Sequence, residues 1–187
     1  MVERANPALP DPHRTPDAEL RLRVEFDDAR LLAECDVHIY RASGPGGQHR
    51  NKVSSAIRLR HRPSDITVTA TERRSQHENK AKALGRLRAA LALYARAPMP
   101  DQITWPATVQ IRDGRLRVSE KNPALHQVIG LVLDALYAAN GQTKDAAACL
   151  AITTSSLAKF LAAHPKAWAE ANRIREQAGL RPLRREK

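Results

Sequence analysis

Residues 44–48 read Gly-Pro-Gly-Gly-Gln, and basic side chains flank them closely on both sides. Gly46 and Gly47 lack a Cβ, so they admit positive φ and let the main chain meet a bulky partner at van der Waals distance. A bare N–H presented there can stabilise a developing oxyanion. The Gln48 amide can position water but cannot itself act as a general base near neutral pH. Arg41, Arg50, Lys52, Arg73 and Arg74 supply charge for gripping phosphates. These residue types describe a loop that reaches into an RNA site and assists hydrolysis without being the whole catalyst.

Other chemistries fit less well. A GxGxxG phosphate cradle fails because His49 stands where the third glycine belongs, and no GxxxxGK[ST] occurs. His77-Glu78 is followed by Ala81 where HExxH needs a second histidine, and Cys35 and Cys149 lack ligand spacing, so neither metal nor cofactor is expected. Two cysteines fit a reducing cytoplasm. No apolar run approaches the ~18 residues of a membrane span. The net charge is +11, but residues 1–40 are net −4 and residues 41–90 net +9. A positive field gathered around GPGGQ points to a polyanion, most commonly nucleic acid.

The elements that must hold this pentad follow from periodicity. LRVEF (20–26 with its neighbours), DVHIY (36–40), AIRLR (56–60) and ITVTA (66–70) alternate as strands do, and residues 61–65 supply a turn between the last two. Asp27 to Ala33 fits a short helical turn. Leu84, Leu87, Leu91 and Tyr94 recur at steps of three and four, which predicts a helix over 75–95 ended by Pro98 and Pro100. Asp113-Gly114 between two alternating runs predicts a hairpin over 108–119. Asn122 and Pro123 then open a largely apolar helix that Gly141 stops. Three helical pieces close the chain. Among them Ala147, Ala151, Ile152, Leu157 and Phe160 have a spacing compatible with a helix-turn-helix and equally with a plain helical hairpin.

RASGPGGQHRNKVSSAIRLRH (41–61) and ERRSQHENKAKALGRL (72–87) resemble the catalytic domain of class I peptide-chain release factors. A lone GGQ would carry little. YRASGPGGQ, NKVSSAIR and RSQ…NKAKAL in this order make the resemblance specific over roughly residues 20–95. It implies an α+β fold, an antiparallel or mixed sheet with a packed C-terminal helix, at 20–97. Around it stand a disordered lead-in at 1–19, a linker at 98–107 and a hairpin plus helical module at 108–187.

The resemblance also implies hydrolysis of the peptidyl-tRNA ester in the ribosomal peptidyl-transferase centre. The partners are then large-subunit ribosomal RNA and P-site peptidyl-tRNA, in the cytoplasm and with no membrane. By the same resemblance Gly46, Gly47 and Gln48 are catalytic, and Gln48 is a candidate for a glutamine methyltransferase. Arg41, His49, Arg50, Asn51, Lys52, Arg73, Arg74, Ser75 and Gln76 fall near ribosomal RNA. Arg50 stands where the family more often has valine, and Asp65 where it has a turn glycine. The sequence has no segment matching the family's codon-reading domain and no long Lys/Arg tail of the rescue hydrolases. The expectation is therefore a codon-independent hydrolase of stalled ribosomes. The alternative is an RNA- or DNA-binding module that uses the basic surface and a helix-turn-helix without hydrolysis.

Overall fold

The computed structural model describes residues 17–41 and 54–184; GPGGQ, His49, Arg50, Asn51 and Lys52 lie outside them. The described residues form two compact units. One comprises 22–41 and 54–91, the other 17–21 and 92–184.

The strand expected at 20–26 is a helix instead. Helix α1 (Ala18–Leu22) begins within the stretch assigned to the lead-in and runs into a 3-10 turn, Arg23–Glu25. Leu20, Val24 and Phe26 fit alternation, but so does a step of four for Leu20 and Val24, and those two are buried while Leu22 is 54% exposed. Asp17 decides the matter locally, because its carboxylate accepts from Leu20 N at 2.9 Å and its carbonyl from Arg21 N. Helix α2 (Asp28–Ala33) is capped by Asp27.

In the first unit, strands β1 (Cys35–Tyr40), β2 (Ala56–His61) and β3 (Thr67–Ala70) form an antiparallel sheet in that order. Val37 faces Leu59 and Ile39 faces Ile57; Leu59 also faces Val68 and Ile57 faces Ala70. Period-two geometry sets all of these on one face, where Ile57, Leu59, Val68 and Ala70 are buried. Arg58 and Arg60 occupy the opposite, exposed face. Asp65 takes φ 58, and its carboxylate accepts from Arg60 Nε at 2.7 Å. Helix α3 (Gln76–Tyr94) buries Ala83, Leu84, Leu87 and Leu91. Arg86 of this helix donates to Thr69 O, and Arg88 to Phe26 O, so α3 is tied to β3 and to the segment before α2.

The second unit opens with strands β4 (Gln110–Arg112) and β5 (Arg115–Arg117), paired antiparallel. Asp113 (φ 50) and Gly114 (φ 69) are both left-handed, as a two-residue type I′ turn requires. Helix α4 (Leu125–Ala138) starts two residues beyond the expected Pro123 opening. Asn122 still holds the start, its Oδ1 accepting from Ala124 N at 2.8 Å and from the Thr108 hydroxyl while its Nδ2 donates to Thr108 O. Helices α5 (Thr143–Cys149), α6 (Thr154–Ala163) and α7 (Pro165–Gln177) follow. Val128, Leu133, Leu136, Leu150, Leu157 and Leu161 are fully buried among them. Helices α5 and α6 meet at 99°, with Ala151 between them at φ 53. Among the described residues no single helix is long and apolar enough to cross a membrane.

Candidate functional site

Because Tyr40 pairs with Ala56, the segment containing GPGGQ leaves and re-enters the sheet on adjacent strands at one end. Its base is held by side chains that the sequence places far apart. Arg41 Nε lies 3.4 Å from Ser54 Oγ and so joins the two ends of the segment. Gln76 Nε2 donates to Ser54 O at 2.7 Å. Asn79, fully buried on the first turn of α3, donates through Nδ2 to Ser55 O (2.6 Å) and to Arg73 O (2.8 Å). Its Oδ1 accepts from Arg73 N at 2.9 Å. Ser55 Oγ donates to the same Arg73 carbonyl at 3.2 Å. A carboxamide has two donors and an acceptor, and all three directions are used here on backbone.

Arg41, Arg73, Ser75 and Gln76 therefore gather at this base. Arg41, Arg73, Arg74 and Gln76 are exposed. Ser75 stands ahead of α3, and its hydroxyl is 3.4 Å from Glu78 N. Gln76 spends its amide on Ser54 O and is part of the scaffold. Sequence reasoning did not single out Asn79. Its signal was a polar residue at the head of the buried step-of-four series Ala83, Leu87, Leu91.

The arrangement supplies a clamped stem, Arg41 to Ser54 and Ser55, flanked by the exposed guanidinium groups of Arg73 and Arg74. The RF-1 domain family model matches residues 30–124. The chain belongs to the RF-1 domain family. This is the class I release-factor catalytic domain to which residues 41–61 and 72–87 are similar. Peptide chain release factor 1 of Gluconobacter oxydans is 48% identical over 85 residues, 45% of this chain and 22% of the relative. That of Novosphingobium aromaticivorans is 51% identical over 67 residues, 36% and 19% of the two chains. That of Acetivibrio thermocellus is 44% identical over 100 residues, 53% and 26%. The matched stretch thus spans 19–26% of the length of these relatives.

A second polar cluster in this RF-1 domain has the outline of a hydrolytic triad. His61 Nδ1 is 2.7 Å from Ser64 Oγ, and His61 Nε2 is 3.0 Å from Glu34 Oε2. It is not a nucleophile site, since His61 is fully buried, Ser64 nearly so, and Ser64 Oγ already accepts from Ile66 N. The neutral ring donates from Nε2 to Glu34 and accepts at Nδ1 from the Ser64 hydroxyl, locking the β2–β3 turn. Burial holds the His61 pKa below the usual histidine value, although Glu34 pulls the other way. Burial also pushes the Glu34 carboxyl up, but hydrogen bonds from His61 and Arg23 outweigh it and leave it below its ordinary value.

Both shifts work in one direction. The unfolded chain takes up the histidine proton near ~6.5, before the folded one does, so stability falls as pH drops below that value. Glu34 adds a further loss nearer ~4.3. The melting temperature of the full chain is expected to fall between pH 7 and pH 5. H61Q should start lower and fall less; an equal fall in both would remove His61 as the cause. Burial pushes the Cys35 thiol up to about 11, so it stays protonated and donates to Leu31 O.

Proposed function

We propose that this chain hydrolyses the ester joining a nascent peptide to P-site tRNA on the ribosome, without reading a codon. The clamp at the base of residues 42–53 carries the reading. Arg41, Gln76 and Asn79 fix both ends of a segment whose sequence contains GPGGQ, beside the exposed Arg73 and Arg74. Membership in the RF-1 domain family and the release-factor relatives add to it.

In this reaction water attacks the ester carbonyl carbon. The main-chain N–H of Gln48 stabilises the tetrahedral oxyanion, and the tRNA ribose hydroxyl departs with a proton. The Gln48 side chain orients the water. Gly46 and Gly47 leave room for the acyl end of the tRNA. Arg41, His49, Arg50, Asn51, Lys52, Arg73, Arg74 and Ser75 line the approach to ribosomal RNA, Gln76 braces the stem beside them through Ser54 O, and Gln48 is the residue a glutamine methyltransferase would modify. Helices α4 to α7 lie beyond the family match and give the chain its own attachment to the ribosome.

The test is peptide release from stalled complexes. The parent chain should release peptide equally with and without a stop codon. Gln48→Ala or Gly47→Ala should lower the rate on the order of 10²-fold or more. Parent-like release by both variants would overturn the hydrolase. The 99° meeting of α5 and α6 favours a second reading, a helix-turn-helix that binds nucleic acid without hydrolysis. That reading needs ribosome-independent duplex affinity above the non-specific level of roughly 10⁻⁴–10⁻⁶ M at physiological salt.

A further inference from the structure

The β4–β5 ribbon has two unlike faces. Ile111 and Leu116, paired across the strands, turn inward, and Leu116 is buried. Period two places Gln110, Arg112, Arg115 and Arg117 on the other face, where all four are exposed. Arg112 stands directly opposite Arg115, and Gln110 opposite Arg117. Like charges directly opposed across an antiparallel pair are destabilising. Elsewhere among the described residues eight arginines pair with carboxylates. None of these three does so among the described residues, although Asp113 and Glu120 are close in sequence.

The ribbon is also fixed in place. Gly114 O accepts from Thr153 N at 2.8 Å, and Leu116 N donates to Ser156 Oγ at 2.8 Å. Thr153 caps α6, and a Cβ on Gly114 would lie 3.1 Å from the Thr153 methyl. Beside the ribbon, between β5 and α6, lies a mostly apolar cleft of about 420 Å³, lined by Leu116, Val118, Phe160 and Ala163 with Arg117 and His164 among them. Burial holds His164 below the ordinary histidine pKa, which leaves its ring a neutral hydrogen-bonding group.

We infer that the outer face of the β4–β5 ribbon is a binding surface for the phosphate backbone of ribosomal RNA, with Arg112, Arg115 and Arg117 as its contacts. Guanidinium groups gathered on one face of a ribbon anchored to α6, two of them directly opposed, are relieved by an evenly charged polyanion. Arginine's planar fork matches phosphate oxygens two at a time. The choice of RNA over other polyanions rests on the hydrolase reading. The binding itself does not depend on Gln48.

The experiment uses the full chain and protein-free large-subunit ribosomal RNA, with affinity measured against salt concentration. R112Q/R115Q/R117Q should bind at least tenfold more weakly at ~0.1 M salt. Its log–log salt slope should be shallower by about 2–3, since each phosphate contact contributes roughly 0.7–0.9. Its melting temperature should equal or exceed the parent's, because the cross-strand repulsion is gone. The charge-matched control K144Q/K166Q/R184Q should stay within twofold of the parent. Three results would overturn the inference: triple-variant binding within twofold of the parent, an equal loss in the control, or competition by polyglutamate or duplex DNA as strong as by RNA. Gln48→Ala should bind like the parent. Parent-like release by Gln48→Ala, together with the ribbon effect, would reject the hydrolase while keeping the surface.

Discussion

Asn79→Asp is expected to destabilise this RF-1 domain by about 3 kcal/mol or more at pH 7. The Asn79 amide nitrogen lies 2.6 Å from Ser55 O and 2.8 Å from Arg73 O. A carboxylate would point an anionic oxygen at two carbonyl oxygens in a fully buried position. Asn79→Ala leaves the same carbonyls without a donor but adds no charge, so it should cost about 1–3 kcal/mol. Acid should narrow the gap between the two variants, because a protonated carboxyl regains one donor. Urea unfolding at pH 7 and pH 5 reads both effects. N79D as stable as N79A at pH 7 would show that the amide does not clamp Ser55 O and Arg73 O. The same loosening should reach function. On the proposed hydrolase reading, N79A should lower peptide release at least tenfold without weakening ribosome binding, as displacing a reacting group by about an ångström can cost 10²-fold.

Asn79 also marks where the sequence stops being readable. The sheet and α3 could be read because their apolar residues repeat with periods that nothing nearby contradicts. Leu84, Leu87 and Leu91 lie where steps of three and four put them, and AIRLR and TVTA alternate cleanly. Asp113-Gly114 is legible for a stronger reason: its backbone conformation is one that few residue pairs accept. The stretch 20–26 misleads because Leu20 and Val24 satisfy two periods at once, and only Asp17, ahead of it, favours the helical one. The clamp was hidden because its energy lies in contacts from residues 76 and 79 to carbonyls at 54 and 55. No local pattern separates a buried amide from a solvated one. The chemistry of GPGGQ could be argued from residue types alone, since it depends on what glycine and glutamine lack as much as on where they sit.

The second unit hides a larger effect inside what reads as an apolar helix. Asp134 is 3% exposed, with Oδ2 3.0 Å from Arg21 Nε and Oδ1 3.1 Å from Arg96 Nη1. Arg21 Nη2 also donates to Gln127 O, and Arg96 Nη2 to Ala92 O, so α1, α4 and the end of α3 share one charge cluster. The cluster has no slack. Arg96 Nε and Nη1 lack an aligned hydrogen-bond acceptor, and the Arg21 guanidinium lies over Gly130, where any Cβ would displace it. Asp134→Leu would strip two buried guanidinium groups of the carboxylate they share, leaving Arg96 only the more distant charge of Glu170. The expected cost is about 3–5 kcal/mol, a large part of the ~5–15 kcal/mol that holds a typical domain. Calorimetry should show the melting temperature falling by at least about 6 °C. Charge balance, not shape, is the cause under this account, so R21M/R96M/D134L should recover most of the loss. A triple variant no more stable than D134L would place the cost in packing around α4. A single variant melting within a few degrees of the parent would mean that the buried ions hold nothing.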